Sequence, residues 1–134
     1  MKKLLCVTLC VMFVFGLCAC GGKISNLNTP DVDSAMYSQK DITAAINVIK
    51  REFLINWSGC TLTDIYYAGD EKTKEHQDWA DRYSADEVIV LLSTFDVDGS
   101  GGDGSLNPNS TYTNWMWILV RTNNGQWKHV DHGY

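Results

Sequence analysis

Apolar and polar residues change period along this chain, and each change marks an element. After a polar stretch from Gly21 to Ala35, Ile42, Ala45, Ile46, Ile49, Phe53 and Trp57 recur at spacings of three and four, the stripe of an amphipathic helix. Ser38 with Asp41 three residues on supplies a capping-box-like start, and Ser58-Gly59 ends the run. From Cys60 to Tyr67 the composition turns β-branched and aromatic, with Thr61, Thr63, Ile65, Tyr66 and Tyr67, which predicts a strand. Ala68-Gly69-Asp70 breaks that strand and caps a weakly amphipathic helix over 71–83, whose apolar contacts are Trp79, Ala80 and Tyr83. In the strand predicted over 87–97, Val88 to Leu92 run without a polar break, so both of its faces should be covered. Strands over 111–122 and 126–133 follow, with Asn123-Asn124-Gly125 as the tight turn between them. This order (helix, strand, helix, then three strands) predicts an α+β fold with two helices on one face of a curved four-stranded antiparallel sheet.

The register of the last hairpin decides which side chains share a face. A two-residue Asn124-Gly125 loop would set His129 and Asp131 beside Met116, Ile118 and Val120, burying a carboxylate at a cost of several kcal/mol unless it is paired. A three-residue loop, with Gly125 as a left-handed bulge residue, pairs Thr122 with Gln126 and puts Val130 beside Met116, Ile118 and Val120. The opposite face then gathers Trp115, Trp117, Leu119 and Arg121 with Trp127, His129 and Asp131. The second register separates apolar from mixed residues better and is the expected one. Trp115, Trp117, Arg121, Trp127, His129 and Asp131 thus form the candidate site. Their face reads as an aromatic-lined ligand pocket, a subunit interface with a tryptophan anchor, or a second core closed over by linker and loops.

The first twenty residues change the picture of where the domain works. Lys2 and Lys3 precede an apolar run from Leu4 to Leu17, and Leu17-Cys18-Ala19-Cys20 closes it. This is the layout of a secretory signal, and the run is too short to span a ~30 Å hydrocarbon core. The tripeptide before Cys20 resembles a bacterial lipobox, which implies a diacylglyceryl group on the Cys20 thiol and removal of the residues before it. The expected organisation is a signal peptide over 1–19, a lipidated N-terminus with a flexible linker over 20–36, and a single α+β roll over 37–134. Losing Lys2 and Lys3 would take the formal charge from −5 to about −7. Such a domain is repelled by nucleic acid and gains no help on an anionic membrane, so the tether must hold it there. Of the five cysteines, Cys6, Cys10 and Cys18 leave with the signal and Cys20 is lipidated, so Cys60 remains alone. No internal disulfide can form, and Cys60 reads as a buried structural residue.

Candidate chemistry is sparse. His129 and His132 lie three apart in a strand and should point to opposite faces, so they cannot ligate one zinc without a bulge. His129 and Asp131 on one face would make an acid–base pair, and His76 reads as plain surface. Asp96-Val97-Asp98-Gly99-Ser100-Gly101 begins like a calcium loop, but Asn107 stands where a bidentate Glu is needed and a strand precedes it. The expected element is a long hairpin loop over 98–110, with no metal and no cofactor.

Residues 115–134 combine a long strand, a tight turn, a Trp-containing last strand and a terminal Gly-aromatic pair. This pattern resembles the end of nuclear-transport-factor-2-like and cystatin-like rolls, and the element order over 38–134 is similar to that of small Gram-positive lipoprotein domains. The resemblance implies a cone-shaped sheet whose concave face serves ligands or dimerisation, and it carries over no catalytic residue. The expected protein is a lipid-anchored module on the outer face of the bacterial cytoplasmic membrane, binding an unknown protein or small molecule. The alternatives are a small pocket enzyme using His129 and Asp131, or a self-associating structural lipoprotein that forms a homodimer.

Overall fold

A computed structural model describes residues 21–134; the expected signal peptide over 1–19 and the expected lipidation site Cys20 lie outside the described residues. The fold is α+β. Five strands, β1 (Lys23–Asn28), β2 (Cys60–Tyr67), β3 (Glu87–Val97), β4 (Thr111–Arg121) and β5 (Lys128–Gly133), lie side by side in chain order. The sheet is mixed where four antiparallel strands were expected, because β1 runs parallel to β2 while every other pair is antiparallel. The long helix α1 (Gln39–Asn56) makes the crossover from β1 to β2, the connection a parallel pair requires. Ser38 caps α1, its Oγ accepting from the Asp41 N–H at 3.1 Å.

The helices do not share one face. Ile42, Ala45, Ile46, Ile49 and Phe53 of α1 pack against Ile65, Tyr67, Ile89, Leu91, Trp117 and Leu119 in the main core. The predicted 71–83 helix is two five-residue helices, α2 (Asp70–Lys74) and α3 (Asp78–Arg82), and these cover the opposite face. There Ala80 and Trp79 pack on Val88, Val90, Ile118 and Val120. The unbroken run in β3 therefore serves two cores, with alternate side chains buried in each. Thr73 of α2 is fully buried, and its Oγ1 accepts from the Val90 N–H at 3.2 Å, stitching the small helix to the sheet.

The polar segment read as a flexible spacer is tied down along its length. Gly22 N–H donates to Phe53 O at 3.2 Å, and a Cβ on Gly21 would collide with the Leu54 carbonyl, so the chain lies against the end of α1 from its first described residue. Ile24 and Leu27 of β1 then pack on the main core. Farther on, Asp70 accepts from Ser34 Oγ (2.6 Å), the Ala35 N–H (2.8 Å) and Tyr67 Oη (2.8 Å), and Tyr37 Oη donates to Val88 O at 2.6 Å.

Four irregularities bend the sheet. The pairing slips between Ile24 and Asn28 in β1, at Leu62–Asp64 in β2, between Trp115 and Tyr112 in β4, and at Val130 in β5. Each slip leaves one or more extra residues on one strand, and in β2, β4 and β5 the single extra residue resets which side chains share a face. The left-handed residues of the final turn are Asn123 and Asn124, each at φ 53°, with Gly125 N–H donating to Thr122 O at 3.0 Å. Gly125 is not the left-handed residue the three-residue loop assigned to it.

Candidate functional site

The bulge at Val130 redistributes the six candidate side chains. Next to the turn, Val120 pairs with Lys128 and Leu119 with His129, the register expected. Past Val130 the partners become Ile118 with Asp131, Trp117 with His132 and Met116 with Gly133. Directly paired residues share a face, so Asp131 leaves the mixed face for that of Ile118, and His132 takes its place beside Trp117. The expected His129–Asp131 pair on one face is thus replaced by a His129–His132 pair, whose Nε2 and Nδ1 stand 3.2 Å apart. Val130 does pack with Met116, Ile118 and Val120, as expected. The strand argument that kept the two imidazoles apart fails only because of the extra residue between them.

The rest of the face divides into three. At the turn end, Arg121 is a clamp. Its Nε and Nη2 donate to Glu87 at 2.5 and 3.3 Å, its Nη1 donates to Asp41 at 3.0 Å, and its guanidinium lies 4.3 Å above the Trp127 ring. Trp127 Nε1 in turn donates to Asp41 O at 3.1 Å. The Arg121 contact holds the Asp41 carboxyl below its ordinary range, with Ser38 adding to the effect, and the two carboxylates push the Arg121 pKa up. These groups fasten the start of α1 to the end of β4, with Arg121 buried between two partly exposed carboxylates. In the middle, Trp117 is fully buried, and its Nε1 donates to Ser93 Oγ at 2.7 Å. This part of the face belongs to the main core under α1, where the sequence offered only a second core closed over by linker and loops.

At the far end the face opens. A cleft of about 420 Å³ lies between the end of α1 (Glu52, Trp57), the β3–β4 loop (Asp103, Leu106) and the strand residues Trp115 and His132. Trp57 and Trp115 meet edge to face at 5.9 Å between centroids. His132 stands edge-on to Trp57 at 5.1 Å and stacks over Trp115 at 6.0 Å. The Trp115 indole N–H is buried without an acceptor. Aromatic walls with a few polar groups at the rim are the composition of a small-molecule seat.

The electrostatics of this end are those of a negative rim. Burial pushes the Cys60 thiol up to about 11, and Asp98 and Asp103 reinforce the shift. Cys60 is therefore protonated at neutral pH and is no nucleophile, in keeping with its burial in the main core. Burial, with His132 as the second cause, pushes the His129 pKa down. The facing His129 Nε2 and His132 Nδ1 make one hydrogen bond when one nitrogen donates and the other accepts. Among the described residues no group of three or more His, Cys, Asp or Glu side chains could hold a metal. The carboxylates of the calcium-like loop are engaged locally: Asp98 accepts from the Ser100 N–H, Asp103 from the Ser105 N–H (both 2.9 Å) and Asp96 from Thr111 Oγ1 (2.6 Å). His76 sits on the surface beyond α2, its Nδ1 2.9 Å from Lys72 O.

Sequence reasoning named Trp115 for this cleft and missed Trp57, Glu52 and the loop residues. Trp57 was counted as the last position of the helix stripe. Its place at the helix end, one residue before Ser58-Gly59, is the signal that sets it at a rim. No protein-family model, curated protein or solved structure matches this chain.

Proposed function

We propose that this protein is a lipid-tethered binding module on the outer face of the bacterial cytoplasmic membrane, and that the cleft between Trp57, Trp115 and His132 is its ligand seat. The observation that carries the reading is the cleft itself, where two indoles and an imidazole converge while the rest of the mixed face is filled core. The signal-like start and its lipobox supply the tether, with Cys20 as the attachment site. Among the described residues no helix is long and apolar enough to cross a membrane. The long helix laid over the β2–β5 meander supports the roll resemblance. An enzyme built on His129 and Asp131 has no support, since the bulge turns the two apart.

Two measurements test the reading. Mass spectrometry of the N-terminal peptide should find diacylglyceryl on Cys20, and Cys20→Ser should leave uncleaved or mislocalised precursor; an unlipidated mature N-terminus elsewhere rejects the tether. A small-molecule screen followed by indole N–H signals in NMR should find ligands that shift Trp57 and Trp115 and leave Trp79, on the opposite face, unmoved. Ligands that bind without moving Trp57 or Trp115 would remove the cleft from the proposal.

A further inference from the structure

Charge on α1 is distributed unlike charge on the chain as a whole. The protein is acidic, with 16 Asp and Glu against 11 Lys and Arg. Yet Lys40, Ala44, Asn47, Arg51, Leu54 and Ile55 follow one another at helical spacing, and all are exposed. They lie opposite the buried stripe, with the half-buried Lys50 at their flank. The two carboxylates within α1 are elsewhere: Asp41 is bound to Arg121 and Glu52 lines the cleft. The outward face is thus cationic, free of carboxylates, and ends in two of the largest exposed apolar side chains, Leu54 at 47% and Ile55 at 63%.

We propose that this outward stripe of α1 is a membrane-contact face lying along an anionic phospholipid surface, with Leu54 and Ile55 entering the headgroup boundary. A basic amphipathic face with an apolar end is the chemistry such surfaces bind. The path of the chain selects lipid over a protein partner. Gly21 and Gly22 lie against the carbonyls of Leu54 and Phe53, and Cys20 is the next residue. Successive Cα atoms are about 3.8 Å apart, so acyl chains on Cys20 would leave the protein within one or two residues of Leu54. With β1 starting at Lys23 there is no slack to lift the domain away. An 18-residue helix, about 27 Å long, can then lie flat from its anchored end. The net charge alone suggested that an anionic membrane offers no attraction; the segregation of charge reverses that conclusion for this one face.

The inference rests on the tether reading, and the experiment separates the two. Full chain purified from membranes is first checked by mass for lipid on Cys20, then reconstituted into phosphatidylcholine vesicles with and without phosphatidylglycerol. Nitroxide labels are placed at Asn47→Cys on the stripe and at Lys72→Cys on the opposite side of the sheet. Adding phosphatidylglycerol should lower the access of a water-soluble nickel relaxant to the label at 47 by about threefold or more, and leave the label at 72 unchanged. Lys50→Glu with Arg51→Glu should restore access at 47. Equal access at both positions, or protection at 47 that survives the charge reversal, overturns the proposal. If Cys20 carries no lipid the tether reading fails, and the face is judged by co-sedimentation. The chain should then pellet with phosphatidylglycerol vesicles at low salt, losing about fivefold in affinity per reversed cation, and no pelleting overturns it.

Discussion

Single side chains at the centre of this fold do two jobs, and substitution separates them. Ser93 Oγ accepts the Trp117 indole N–H at 2.7 Å and itself lies 3.3 Å from Trp115 O. Ser93→Ala leaves that buried indole donor without a partner, and urea denaturation should show a loss of about 1–3 kcal/mol. A loss below a few tenths would mean that water replaces the hydroxyl. His129 sets the pH dependence in the imidazole range. Its folded-state pKa lies below that of the unfolded chain, first through burial and then through His132. Unfolding therefore takes up a proton in that window, so stability is complete above the ordinary imidazole value of about 6.5, falls as pH drops through it, and levels off below the folded value. Melting temperatures from pH 8 to 5 should show this decline, and His129→Gln should flatten it. The lowered carboxyls, Asp41 and Asp70 among them, act in the same direction but at lower pH, because their stabilisation is lost only as pH falls through their depressed folded values.

At the scale of elements, the C-terminal hairpin shows what a local pattern reveals and what it hides. The helix stripe from Ile42 to Trp57 and the strands over 60–67 and 87–97 were legible because each has a period that a single partner surface imposes. The bulge at Val130 was not, since an unpaired residue is defined by its partner strand and nothing in Lys128-His129-Val130-Asp131-His132 marks it. β1 was hidden for a related reason: Ile24 and Leu27 do not alternate, and a parallel edge strand exists only through its crossover to β2. The 71–83 helix split because Glu75-His76-Gln77 forms turns between α2 and α3. The hairpin can be tested at both ends. Val130→Asp puts a charge among Met116, Ile118 and Val120 and should cost about 2 kcal/mol or more by chemical denaturation. Asp131→Ala, at an exposed position, should stay within about 0.5 kcal/mol. In the turn, Asn124→Val forces a β-branched residue to a positive φ and should cost about 1–2 kcal/mol, whereas Asn124→Gly should be neutral or stabilising. Equal costs at 130 and 131 would contradict the packing of Val130 on this cluster.

On the scale of the whole molecule, the proposed anchor point, the cleft and the apolar end of the cationic helix face belong to one end of the fold. The end of α1 supplies Glu52 and Trp57 to the cleft, Leu54 and Ile55 to the outward face, and the carbonyls against which Gly21 and Gly22 rest. A tether one residue upstream would hold the ligand seat close to the bilayer, so that bound ligand and lipid surface are met together. Composition suggested the opposite, a domain lifted away on a spacer, because the polar Gly21–Ala35 segment pairs and packs through partners distant in sequence. In this proposal two restraints would act on α1, the short tether and the charge of its face, and they can be distinguished. Inserting about ten Gly and Ser residues between Cys20 and Gly21 removes the first without touching a core residue. At low salt the label at Asn47→Cys should remain shielded on phosphatidylglycerol vesicles, held by Lys40, Lys50 and Arg51. At about 0.5 M salt, where the screening length falls to a few ångströms, both chains should release the label to water, the extended chain more completely. If the extended chain releases it at low salt as well, the tether alone positions the domain, and the cationic stripe has no part in holding it to the membrane.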